Sequence, residues 1–209
     1  IGSIRAVNSE ARKAAQEKIW SEIEVGKKYH GTVKSLTSYG AFVDIGCGVV
    51  SLMSIDCISV SRISHPRDRF YTGMQIKTVI KSIDYDTTRI YVTHKELLGT
   101  WEQNISKLKV GETVPGIVRS VEKYGIFVEL APNLAGLAEF SQGVEAGCHA
   151  GVYVKSIIPS KMKIKLIIVD SFAADYPVEP PEYYITSGHI DRWVYSPEES
   201  ERLIESVFD

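Results

Sequence analysis

Cysteine is scarce in this chain. Cys47, Cys57 and Cys148 are an odd number with no CxxC pair among them, which excludes a disulfide framework and a four-thiolate zinc site. Free thiols in a reducing compartment are expected, and with them a cytoplasmic location. Long apolar runs are missing: none approaches the roughly 18–20 residues that a bilayer-spanning helix needs. Residues 1–24 also lack the apolar stretch of a signal peptide. Charge of one sign is not in excess: 24 Lys+Arg stand against 26 Asp+Glu, a net charge of −2, which argues against a uniformly basic nucleic-acid binder. The phosphate cradles of nucleotide enzymes are absent, as are GxSxG and HExxH, and His30, His65, His94, His149 and His189 show no ligand spacing. Asp84 and Asp86 read as a solvated turn rather than a metal site. No catalytic constellation emerges, so a non-enzyme with no cofactor and no metal is expected.

What is present begins with a repeat. Residues 25–45 and 110–130 share nine of 21 positions at one register, among them Gly31/Gly116, Tyr39/Tyr124, Gly40/Gly125 and Phe42/Phe127. The match resumes between Gly73–Ile83 and Gly147–Ile157 at an offset 11 shorter, so the first copy carries 11 extra residues around Ser59–Thr72. Five domains or segments follow: an N-terminal segment 1–24, a first repeat 25–95, a linker 96–109, a second repeat 110–170 and a C-terminal extension 171–209.

Within each copy, β-branched and aromatic runs alternate with period two and break at glycine-containing turns. The pattern predicts strands near 28–37, 39–46, 49–55, 75–84 and 88–94, and near 113–122, 124–131, 135–140, 149–158 and 162–169. Five short strands in so few residues predict a mainly β fold, with two five-stranded barrels of the OB type in tandem. Gly40 and Gly125, inside strand pattern, predict a bulge or coil there. A short helical turn is expected in the insertion near His65-Pro66. Asn8 or Ser9 is placed to cap an N-terminal helix running to about Trp20. Thr100-Trp-Glu-Gln103 reads as a capping box that starts a linker helix with Ile105 and Leu108 inward. Ser196-Pro-Glu-Glu199 reads as another, predicting a helix that buries Leu203, Ile204, Val207 and Phe208. Tyr183–Thr186 and Arg192–Tyr195 are expected to pair across Ser187-Gly188.

The stretch V-G-x(4)-G-x-V-x-S-x(3)-Y-G-x-F-V-[DE]-[IL] resembles the opening of the S-one (S1) RNA-binding domain, and it occurs twice. Trp101 with Val110-Gly111 is similar to the joint between consecutive domains of that family, and Trp20 with Val25-Gly26 echoes it. The resemblance covers residues 25–170 and implies OB barrels that bind single-stranded RNA, with mRNA and the small ribosomal subunit as partners. The family's two base-stacking aromatics fall on Tyr39 and Phe42 and on Tyr124 and Phe127. Its histidine at the end of the third strand falls on Ser54 and Glu139. Its Asp and Arg around the fourth-to-fifth strand turn fall on Asp84 and Arg89, then on Ile158 and Lys163. Lys34 is a further candidate phosphate contact, as are Arg119 and Lys123 in the second copy.

The first repeat with its following residues, 25–98, carries a net charge of +4, the second repeat 0 and the extension −7. The first barrel is therefore the expected better binder. A protein-interaction module, with degenerate barrels and the acidic tail docking a partner, is the alternative, and an accessory role in RNA processing is a third. For the tail itself, burial of Tyr176, Tyr183, Tyr184, Trp193 and Tyr195 against the second barrel competes with screening of the basic one.

Overall fold

The computed structural model describes residues 2–186 and 188–209. A helix α1 (Gly2–Glu22) leads into five strands: β1 (Lys28–Thr37), β2 (Gly40–Asp44), β3 (Val50–Ser54), β4 (Gln75–Asp84) and β5 (Arg89–Thr93). They close into a barrel in the order β1-β2-β3-β5-β4, all antiparallel except the β3/β5 closure. After a short helix α2 (Trp101–Ile105), β6 (Thr113–Glu122), β7 (Gly125–Ala131), β8 (Leu134–Ala138), β9 (His149–Ile158) and β10 (Lys163–Phe172) repeat the design. The expected ten strands are all present within a few residues. Each barrel is filled from alternate strand positions: Val33, Ala41, Val43, Met53, Ile76, Ile80, Ile90 and Val92 in one, Val118, Ile126, Val128, Val152, Val154, Ile164 and Leu166 in the other.

Closure brings strand backbones close, and the repeated glycines sit where they touch. A Cβ on Gly40 would lie 2.2 Å from the Met53 carbonyl oxygen, and one on Gly125 2.7 Å from that of Ala138. The bulge expected at these glycines is instead on the facing strand. The register passes from Val33↔Val43 to Ser35↔Phe42, leaving Lys34 as the extra residue, and Arg119 is extra in the same way in β6.

The insertion forms the expected short turn over Pro66–Asp68, capped by His65, with the proline at its first position. The Thr100–Gln103 capping box forms as expected, with Thr100 N–H donating to Gln103 Oε1 at 2.9 Å. Helix α1 starts well before Asn8.

The tail departs furthest from expectation. Residues 196–208 form no helix: β12 (Glu205–Val207) pairs antiparallel with β11 (Arg192–Val194). Ser196 Oγ caps no helix but accepts from Ile204 N–H at 2.7 Å. Ile204 is half-buried and Phe208 buried, whereas Leu203 and Val207 are exposed. The apolar positions fit both periods, and strand pairing that buries Trp193 and Phe208 overrides the local capping signal. Arg192–Val194 thus pairs with the chain's end rather than with Tyr183–Thr186, and Ser187 of the expected turn lies outside the described residues.

The tail also packs on more than the second barrel. Ile190, Trp193, Tyr195 and Phe208 join the core that contains α2 and the second barrel, along with Val79 and Leu97. Ile190 N–H donates to the Gly26 carbonyl at 3.0 Å and Tyr184 N–H to that of Leu97 at 2.8 Å. Asn133, fully buried between β7 and β8, ties the parts together. Its Oδ1 accepts from Val60 N–H at 2.9 Å. Its Nδ2 donates to the carbonyls of Lys95 at 2.8 Å and Gly99 at 2.9 Å, and its own carbonyl accepts from the Tyr195 hydroxyl.

Candidate nucleic-acid interface

Strand alternation sends Ala41 and Val43 into the first barrel and Phe42 out of it. Tyr39 lies in the turn before β2, free of that alternation, and is 56% exposed. The two rings meet edge to face with centroids 6.3 Å apart. Tyr124 and Phe127 repeat the arrangement at 6.2 Å, both exposed. The paired aromatics expected from the sequence therefore come together on the outside of both barrels.

The bulge at Lys34 aligns a row across the whole first barrel. Ser35 faces Phe42, Phe42 faces Leu52, Leu52 faces Tyr91 and Tyr91 faces Ser82. None of these five side chains is in the barrel core. In the second barrel the row is Ser120, Phe127, Leu137, Lys165 and Ser156. Four of the five positions keep their chemistry, and an aromatic at Tyr91 becomes a cation at Lys165. Leu52, Tyr91, Leu137 and Lys165 were missed as site residues. The alternation in Arg89-Ile-Tyr-Val, with Ile90 and Val92 inward, is the signal that finds Tyr91.

The remaining candidates divide. Lys34 is exposed and only loosely near Asp44, at 3.9 Å. Arg89 is exposed at the start of β5, two residues from Tyr91 on the outward side, and Lys163 takes its place in β10. Lys123 is exposed in the turn beside Tyr124. Ser54 is half-buried opposite Gly40, its hydroxyl 3.5 Å from Cys57 Sγ, which also lies 3.4 Å from Lys81 Nζ. Asp84 is committed to its turn: Oδ1 accepts from the amides of Asp86 and Thr87, both at 3.1 Å. Hydrogen bonding from the Thr87 side chain first, then from these amides, with Arg89 nearby, holds its carboxyl below the usual carboxylate range.

Arg119 is not free for a ligand. Its Nη2 lies 2.8 Å from Glu129 Oε2, partly buried, in a cluster with Arg69 of the first barrel. Glu139, at the family's histidine position, is exposed and paired with Lys155 at 3.0 Å. Its negative charge is thus offset on the surface, in a contact worth little by itself.

Flat groups for bases and mobile cations for phosphates are what a single strand requires of a protein. The row in the first barrel supplies the flat groups, and Lys34 and Arg89, both exposed, supply cations beside it. Among the described residues no cluster of His, Cys, Asp and Glu is placed to hold a metal ion, and no helix is long and apolar enough to cross a membrane.

The model of the S1 RNA binding domain family matches residues 22–95. The small ribosomal subunit protein bS1 homolog of Bacillus subtilis is 36% identical over 141 residues, covering 67% of this chain and 37% of that protein. The small ribosomal subunit protein bS1 of Rhizobium meliloti is 33% identical over 177 residues, 78% of this chain and 31% of its own length. The chain thus spans about a third of these curated relatives. Among solved structures, a chain of the a/eIF2alpha–aDim2p–rRNA complex from Pyrococcus horikoshii matches at 23% identity over 41% of this chain and 51% of its own, with a TM-score of 0.35.

Proposed function

Since this chain belongs to the S1 RNA-binding domain family, we propose that it holds single-stranded RNA on the outward rows of tandem barrels, 25–95 and 110–170. The first barrel binds more strongly. The observation that carries this reading is the row Phe42–Leu52–Tyr91 with Tyr39 beside it, in a segment, 25–98, of net charge +4. Bases stack on Tyr39, Phe42 and Tyr91, while Lys34 and Arg89 meet phosphates. In the second barrel Tyr124, Phe127, Lys123 and Lys163 do the same work without the aromatic at Lys165. The chain acts by binding and performs no catalysis. The relatives' name, small ribosomal subunit protein, supports a role at that subunit, with mRNA as the single strand and the cytoplasm as the compartment in this reading.

Stacking contributes about 1–3 kcal/mol per base. Titration of a labelled single-stranded RNA therefore separates the parent from a Phe42→Ala, Arg89→Ala double variant by at least tenfold. Binding should also weaken steeply with salt as phosphate contacts release counterions. Equal affinity of the two proteins, or no binding at low salt, refutes the reading.

A further inference from the structure

The acidic tail contributes one arginine to the second barrel at a telling place. Residues Ser200–Arg202 run beside the turn between β9 and β10. Together they form a cleft of about 500 Å³ whose lining includes Ala135, Lys161, Lys163 and Arg202, with Trp101 beneath. Ala135 precedes Leu137 by two residues on β8, and Lys163 precedes Lys165 by two on β10. Alternation puts each pair on one face, so the cleft continues the row Phe127–Leu137–Lys165.

The loop is held in position. Glu201 N–H donates to the Ser160 carbonyl at 2.9 Å. Ser200 Oγ accepts from Arg202 N–H at 3.1 Å and donates to its carbonyl at 2.8 Å. Lys161, Lys163 and Arg202 are exposed, and among the described residues none of them makes an ion pair. The Glu201 carboxylate also lines the cleft and opposes them. In the first barrel the counterpart of this place holds the end of α1, where Trp20 packs against Tyr85 with ring centroids 6.4 Å apart.

We propose that the tail completes the RNA-binding face of the second barrel. Arg202 joins Lys161 and Lys163 to seat a backbone phosphate of the strand that stacks on Tyr124 and Phe127. This rests on the RNA-binding reading above and assigns part of the binding to a segment outside either barrel. Three exposed cations around one open cleft suit a phosphodiester, and the guanidinium adds a planar, two-pronged donor. Lys165, where the first barrel has Tyr91, shifts this face from stacking toward phosphate contact.

The test uses the full chain and a labelled oligouridine of about 16 nucleotides, the upper end of what one OB barrel covers. Arg202→Gln should weaken binding about threefold to tenfold at low salt. It should also flatten the log–log salt dependence by about 0.7, the share of one single-strand phosphate. Glu201→Gln should tighten binding, and Lys109→Gln, on the linker, serves as a charge-matched control. Parental affinity and slope in Arg202→Gln, alongside a Phe127→Ala variant that binds more weakly, overturns the tail's part and leaves the RNA reading standing. Unchanged binding in Phe127→Ala and in the Phe42→Ala, Arg89→Ala variant overturns both. Weaker binding in Glu201→Gln also overturns the proposal.

Discussion

Arg69 of the first barrel and Glu129 of the second form a buried two-pronged ion pair across the domain boundary, 8% and 4% exposed. Arg119 joins the same carboxylate from its own barrel, and Arg69 Nε donates to Ser59 Oγ at 3.3 Å. By the repeat, Arg119 and Glu129 correspond to Lys34 and Asp44, which lie loosely at 3.9 Å on the surface. The difference is the insertion that brings Arg69. Removing one partner of a buried pair typically costs about 3–5 kcal/mol, because charge is left unpaired. Glu129→Gln is expected to fall in that range, and Asp44→Asn within about 1 kcal/mol of the parent. Urea-unfolding midpoints of the two variants measure this directly.

His94 is enclosed between the first barrel and the tail. Its Nδ1 lies 2.8 Å from the Ile58 carbonyl and its Nε2 3.0 Å from the Tyr183 hydroxyl. Burial, with Arg69 nearby, pushes its pKa down to about 4 from 6.5. The folded state therefore holds the ring neutral while the unfolded chain takes up a proton. Stability from this group is complete above pH 6.5 and is lost as pH falls toward 4, by about 2 kcal/mol between pH 7 and 5. The drop in urea midpoint over that interval should be smaller in His94→Gln than in the parent. An equal drop in both proteins would refute this origin.

Tyr183 carries the tail's other end of that contact. Its hydroxyl also accepts from Lys77 N–H at 3.0 Å, and burial pushes its pKa up to about 12. Tyr183→Phe leaves a half-buried N–H and a buried ring nitrogen without this partner. The expected loss is about 1–3 kcal/mol, read as a lower thermal midpoint. RNA affinity should not change, since Tyr183 is no part of the outward row.

Tyr91 offers a test of the row that is independent of Phe42 and Arg89. Tyr91→Ala should lower RNA affinity by about 1–3 kcal/mol, the value of one stacked base. Tyr91→Phe should keep it, because the ring face and not the hydroxyl does the stacking. Lys165→Tyr in the second barrel should recover stacking while reducing the salt dependence.

The strands, the two barrels, the paired aromatics and the α2 capping box were all legible in the sequence. The strands, the barrels and the capping box rest on contacts between near neighbours or on an alternation that one strand expresses alone, and the aromatic pairs on the resemblance of the repeated motif. Gly40 was legible as special but misread as a bulge. Its purpose is to admit the Met53 carbonyl of the next strand, a distance that only the closed sheet defines. Tyr91 was missed because its membership in the site depends on the β3/β5 closure that places it beside Leu52.

What the chain determined by itself is local: period-two patterning, turn glycines and the repeat fix two OB barrels, and the repeated motif's resemblance marks an aromatic pair on each. Only the tertiary structure decided how the parts join. The capping signal at Ser196 lost to strand pairing because pairing buries Trp193 and Phe208. Arg119 was drawn from the RNA candidates into an ion pair because an insertion 50 residues earlier delivers Arg69 to the same carboxylate. A buried charge takes its partner from whatever the fold brings near it, and sequence spacing does not record that proximity.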